Sequence, residues 1–256
     1  MRFVRFVTPL GEINTGWVLG DQVGLVDGSI FGEFRRSEAN LPISSLDLLP
    51  PVQPTKIICV GRNYVSHAEE HDVEVPEIPL IFLKPPSSLI GHDSTIILPP
   101  QSSQVEHEAE LAVVIGKQRR WITPDEALDC ILGYTIANDV TARDLQRQDG
   151  QWTRSKGFDT FCPIGPWLET DFNPADALLT CNVNEDTRQM ASTRDMVFNI
   201  QQIIAFTSTT MTLEPGDIIL TGTPAGVGHL RPNDTIEITI EGIGTLRNRV
   251  AAEASS

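Results

Sequence analysis

A mainly β fold with a few helices laid against its sheets, the α+β class, is predicted by three observations. Short apolar runs recur between turn signals along most of the chain. Only two segments carry the start signals of a longer helix, and a third reads as a short one. No internal repeat or low-complexity tract breaks the pattern, so it belongs to an ordinary globular protein.

Taken in order, RFVRFV and GWVLGDQVGLVDG read as three or four short antiparallel strands, a small N-terminal β domain over residues 1–53. The proline-rich LLPPVQPTK marks a linker near residues 50–55, and residues 54–256 form a larger second domain. There KIICVGRNY is a strand ending at Gly61, and NYVSHAEEHD starts a short helix. TIILPP, ELAVVIG, ILGYTIANDV, PWLE, LLTCNVN, DIILTG and TIEITIEGIGTLRNRV supply further strands. In ITPDEALDCIL, Thr123 can cap a helix, Pro124 suits its first position and Glu126 completes a capping box. In STRDMVFNIQQIIAF, Met196, Ile200, Ile203 and Ile204 keep helical spacing, which is core packing.

The chain has 256 residues, 40% hydrophobic and 21% charged, and a formal net charge of −15. Nucleic acid and anionic membranes need a basic face, so both are excluded as expected partners. An acidic small molecule is not excluded if cations are placed locally. Lysine is scarce: Lys56, Lys84, Lys117 and Lys156 are the full set. Cys59, Cys130, Cys162 and Cys181 lie mostly among apolar residues with no C-x-x-C pair, which suits reduced buried thiols. No run reaches eighteen apolar residues, and MRFVRFVTPLGE lacks a signal-peptide core, so a cytoplasmic location is expected.

The stretch VEHEAELAVVI carries the chemistry. On a strand, side chains alternate between faces, so Glu106, Glu108 and Glu110 point one way. Such a cluster is either a solvated acidic edge or a cation site. Asp139 ends another apolar strand, and a convergence of the two would give an oxygen-only site suited to Mg²⁺, Mn²⁺ or Ca²⁺. Two unrelated acidic strand ends are the alternative. His67 and Glu70, at i and i+3, share a helix face and form either a general-base pair or a surface hydrogen bond. Lys84 in IFLKPP and Lys156 in RSKGFD can serve a site or merely snorkel. TGTPAGVG lacks the G-K-[ST] ending of a phosphate loop, yet its N–H groups, with the Thr223 hydroxyl, can hold a carboxylate.

GRNYVSHAEE, IFLKPP, EHEAELAVVIGK, GYTIANDVTARDLQ, KGFDTFCPIGP, STRDMVF and DIILTGTPAGVG with EGIGTLRN occur in that order. Together they resemble the fumarylacetoacetate hydrolase family, in its bacterial-type group of acylpyruvate hydrolases and 2-hydroxyhepta-2,4-diene-1,7-dioate isomerases. The resemblance implies a mixed β-sheet roll, a homodimer and a Mg²⁺ or Mn²⁺ site on Glu108, Glu110 and Asp139, with Glu106 an outer neighbour. It implies His67 and Glu70 as a water-activating dyad, Lys156 as a catalytic group, and Arg62, Lys84, Arg143, Gln146 and Thr223 as substrate-binding. The implied activity is cleavage of a C–C bond in an acylpyruvate-type 2-oxo acid through a metal-stabilised enolate. Oxaloacetate decarboxylation or tautomerisation and isomerisation of a 2-hydroxy-dienedioate are rivals, and a non-catalytic metal- or ligand-binding module is a further one.

Three positions depart from the family pattern. His107 replaces a frequent aromatic residue and is expected to face away from the ligands. Glu185 follows Asn184 where Asn-Gly is common, which would strain a turn needing φ > 0 at Glu185. His229 replaces a frequent proline after GVG and is expected to bear on selectivity.

Overall fold

The computed structural model describes residues 1–8 and 10–254, and these are mainly strand, with few and short helices. The α+β class read from the apolar alternation is the one observed. Among the described residues the longest sheet runs, neighbour to neighbour, through Phe34–Arg36, Gln22–Gly28, Ile13–Leu19, Arg2–Val7, Cys162–Glu169, Ile131–Asn138, Ala109–Ile115, Ile218–Leu220, Ile57–Gly61 and Leu80–Lys84. The sheet is mixed, because Ile218–Leu220 pairs parallel to Ile57–Gly61 while Ala109–Ile115 runs antiparallel to both neighbours. The N-terminal strands extend this sheet at one end, where Arg2 and Phe3 pair with Glu169 and Leu168.

Both faces of the central strands are buried, which explains why ELAVVI reads as a continuous apolar run. Leu111, Val113 and Ile115 point to a core shared with Leu179, Ile236, Ile238 and Leu246 of a second, five-stranded sheet. Ala112 and Val114 point the other way, toward Ile57, Cys59, Ile164 and Leu220. Full burial of each of these large side chains is worth about 1.5–3 kcal/mol. Glu110 shares the parity of Ala112 and Val114, so it stands at the end of that second face. The four cysteines are buried and free. Among the described residues no helix is long and apolar enough to cross a membrane.

Two local readings are corrected, and the turn at Glu185 avoids the strain expected of it. ITPDEALDCIL does carry the Thr123–Glu126 capping box, but it forms a 3₁₀ helix, Pro124–Cys130. The helix expected from Met196 onward begins only at Ile200, where the Asn199 side chain accepts from the Gln202 N–H (2.9 Å) and Gln202 returns a bond to the Asn199 N–H (2.9 Å). Helical spacing continued backward across a residue that is itself the cap, and a cap outranks a period-matched apolar side chain. At the turn after Leu178–Val183, the left-handed residue is Asn184 (φ 57°) and not Glu185, and asparagine tolerates that region.

Candidate active site

The strand read as continuous from Val105 to Ile115 is broken at Glu108. Val105–His107 pairs with Thr141–Ala142 and Gly228–His229, whereas Ala109–Ile115 belongs to the main sheet. The side-chain amide of Asn138 bridges the break, its Oδ1 accepting the Glu108 N–H (3.0 Å). Glu108, Glu110 and Asp139 converge there, each buried, with one carboxylate oxygen from each lying within 4.8 Å of the others. Glu106 stands outside this group and accepts from Arg143 Nε (2.8 Å) and Gln104 Nε2 (2.7 Å).

Three buried cations surround the carboxylates. Lys156 Nζ donates to Glu108 Oε2 (2.8 Å) and Asp139 Oδ2 (2.7 Å). Arg143 Nη2 donates to Glu108 Oε1 (2.5 Å) and its Nη1 to Gln146 Oε1 (2.7 Å). Lys84 Nζ donates to Asp139 Oδ1 (2.6 Å) and to the Val140 carbonyl (3.1 Å). Glu110 is different: no cationic side chain touches it among the described residues, and it accepts one hydrogen bond, from the Gly222 N–H (2.6 Å). That approach needs glycine. Gly222 has φ +95°, and a Cβ there would lie 2.7 Å from Asn63 Cβ.

The electrostatics follow. Burial opposes ionisation of Glu108, but Lys156 and Arg143 overcome it and hold its carboxyl well below the usual range. For Glu110, burial and then the charges of Asp139 and Glu108 push the pKa well above the usual value. A buried carboxylate that lacks a cation is the position a cation would fill. The oxygen-only donor set fits a hard divalent ion. With all four carboxylates ionised, Glu106 included, three cations leave one negative charge, so a divalent ion would leave the centre net positive and ready for an anionic ligand.

Glu110→Gln tests this fit. A raised folded-state pKa contributes stability that is present below the unfolded value, about 4.3 for glutamate, and is lost as pH rises through the folded one. The variant removes that loss, so the metal-free protein should melt higher than the parent at neutral pH. Stabilisation by added Mg²⁺ should largely vanish. Melting curves across pH, with Mg²⁺ and with chelator, read both; an unchanged Mg²⁺ response would remove Glu110 from the ligand set.

A cavity of about 230 Å³ opens onto Glu108, Glu110 and Asp139, and His67, Arg62, Arg143, Gln146, Lys156 and Thr223 also line it. Most of the expected site is thus gathered around one space. Glu70 and Lys84 are the exceptions: Glu70 meets the cavity only through His67, and Lys84 is 1% exposed and bonded to Asp139, outside the cavity wall. Its ammonium is taken up by Asp139 Oδ1 and the Val140 carbonyl, from a strand position paired with Ile57. The TGTPAGVG loop does hold carboxylates. They belong to this chain, Glu110 on the Gly222 N–H and Glu70 on the Gly226 N–H (3.0 Å).

His67 Nδ1 lies 3.4 Å from Glu70 Oε2 on the helix Val65–Glu70. Burial holds the imidazole below its ordinary pKa, so it is neutral near pH 7. Three features were missed from the sequence. His71 lines the cavity with its ring edge-on to His67, centroids 4.7 Å apart. Trp152 and Phe82 form an aromatic wall (5.0 Å). Buried Gln189 accepts from the Ala109 N–H (3.0 Å) and donates to Thr223 Oγ1 (2.8 Å), tying the ligand strand to the loop. The i+4 spacing of the two histidines was the only signal available. His107 faces away from the carboxylates, toward Gln189 Oε1 (3.1 Å) and Cys181 Sγ (3.5 Å).

A family model described as fumarylacetoacetate (FAA) hydrolase C-terminal matches residues 56–251, and one described as Rv2993c-like, N-terminal matches residues 1–51. The chain is 43% identical to the 2-hydroxyhepta-2,4-diene-1,7-dioate isomerase of Mycobacterium marinum, with a TM-score of 0.91 and 100% of each chain covered. It is 40% identical to the mitochondrial oxaloacetate tautomerase Fahd2a of Rattus norvegicus, over 98% of this chain and 91% of that protein. The maleylpyruvate hydrolase of Sphingobium sp. SYK-6, in complex with manganese (II) and pyruvate, is 33% identical with a TM-score of 0.81, over 99% of this chain and 100% of that one.

Proposed function

Because this chain belongs to the fumarylacetoacetate hydrolase family, we propose that it cleaves a C–C bond in an acylpyruvate-type 2-oxo acid with a Mg²⁺ or Mn²⁺ ion held by Glu108, Glu110 and Asp139. The observation that carries this reading is a neutral His67, oriented by Glu70, on the same cavity as the three carboxylates. When bound, the ion supplies Lewis-acid stabilisation of enolate charge. Among the residues of this chain, Lys156 and Arg143 fix the carboxylates and present positive charge to the acid group of the substrate. Thr223, Gln146 and Arg62 orient it. If Nδ1–H of His67 donates to Glu70, the other ring nitrogen is free to take a proton from water attacking the distal carbonyl. Trp152 and Phe82 exclude bulk water from that side, which strengthens each charge interaction inside.

A second reading, proton shuttling between keto and enol forms of oxaloacetate, is supported by 40% identity to the tautomerase against 33% to the maleylpyruvate hydrolase. It uses the same imidazole without a water nucleophile. Parallel assays separate them: release of pyruvate from a simple acylpyruvate, and loss of enol absorbance from oxaloacetate, each with Mg²⁺, Mn²⁺ or chelator. Metal-dependent pyruvate release supports the first reading, and enol turnover alone supports the second. Turnover in neither assay removes both. A homodimer and a cytoplasmic setting complete the proposal, and light scattering of the purified protein tests the dimer.

A further inference from the structure

The helix that carries His67 presents more than one base. In His67-Ala68-Glu69-Glu70-His71 the two histidines are four apart and the glutamate lies between them on the same face. One ligand atom from each of His67, Glu70 and His71 falls within 4.8 Å of the others. His71 Nε2 is buried and has no hydrogen-bond partner, in a protein where buried polar atoms are otherwise paired with few exceptions. Glu70 is already fixed from behind by the Gly226 N–H, as ligating carboxylates are. His67 and His71 both line the cavity, so an ion entering it reaches them.

We infer that His67, Glu70 and His71 form a second metal site, selective for a borderline ion such as Zn²⁺ and distinct from the hard-cation site on Glu108, Glu110 and Asp139. The donor sets separate the two ions. Imidazole nitrogen suits Zn²⁺ at about 2.0–2.1 Å, whereas an all-carboxylate site with water suits Mg²⁺ or Mn²⁺. Small rotamer changes of exposed Glu70 and partly buried His71 close the remaining distance. Occupancy has a chemical consequence that rests on the function proposed above. A neutral imidazole has one nitrogen lone pair, and an ion that takes it leaves His67 none for the proton of water. The hard ion thus activates and the borderline ion inhibits, from adjacent sites.

The test separates binding from turnover. Protein saturated with excess Mg²⁺ is titrated with Co²⁺, whose visible absorption reports nitrogen ligation and low coordination number, and Zn²⁺ retention after dialysis is counted per chain. One tightly held Zn²⁺ and a cobalt band are expected. Both should be lost in His71→Ala and His71→Gln, and retained in Glu110→Gln. Mn²⁺ affinity of the His71 variants, read by electron paramagnetic resonance, verifies an intact carboxylate centre. Where turnover is measured, the Zn²⁺ inhibition midpoint should rise by about tenfold or more in the His71 variants. A cobalt band absent from the parent, unchanged in His71→Ala, or lost in Glu110→Gln overturns the second site. Zn²⁺ bound without inhibition leaves the site standing and instead removes His67 as the base.

Discussion

Lys156→Met is expected to cost the metal-free protein about 3–5 kcal/mol, the usual penalty for stripping one partner from a buried ion pair. Lys156 is 2% exposed and donates to both Glu108 and Asp139, so its loss leaves Glu108 to Arg143 and Asp139 to Lys84, without the shared cation that bridged the two carboxylates. Total stabilities of single domains run to about 5–15 kcal/mol, so the variant sits near the edge of folding without metal. A divalent ion replaces much of the missing positive charge. Urea unfolding in chelator and in saturating Mg²⁺ should therefore give very different losses, the second much the smaller. Equal losses in the two conditions would mean that the ion does not bind where Lys156 balances charge. Turnover should fall in either case, since the ammonium also lines the cavity.

His67→Ala has the opposite profile, with a large effect on rate and little on stability or metal affinity. Removing a general base costs about 10²–10⁴-fold in kcat. The ring touches Glu70 and His71 but none of the three carboxylates expected to hold the ion. Parent activity should fall as pH drops through the imidazole pKa, which burial holds below its ordinary value, and the variant should lose that acid limb. A rate near the parent's with the limb intact would assign water activation elsewhere. Mn²⁺ titration of both proteins checks that the centre itself is unchanged.

The centre was legible in the sequence because its parts obey short-range rules. Glu108 and Glu110 are two apart on a strand, Asp139 ends an apolar run, and His67 and Glu70 lie a helical turn apart. Each rule gives a direction, and the ordered motifs supplied the convergence that no single spacing can. What stayed hidden depends on contacts distant in sequence. Lys84 next to proline reads as a site group or as a snorkelling stem, and nothing local says that its ammonium is buried on Asp139, 55 residues away. The loop N–H groups looked available to a ligand, because nothing local says that Glu110 and Glu70 reach them from 112 and 156 residues away. Glu108 was expected inside an unbroken strand, since the side-chain amide that bridges the break belongs to Asn138, 30 residues on.

That break joins two sheets through one residue, and it also orders events in time. Val105–His107 has a near partner in Thr141–Ala142, but its other edge stays open until Gly228–His229 arrives from far along the chain, while Ala109–Ile115 can pair with the nearby Ile131–Asn138 much sooner. Pairings between distant segments form slowly, because loop closure must precede the contacts that reward it. Ion uptake during refolding should thus lag the recovery of strand signal. A nascent or partly assembled chain would gain its backbone before its chemistry.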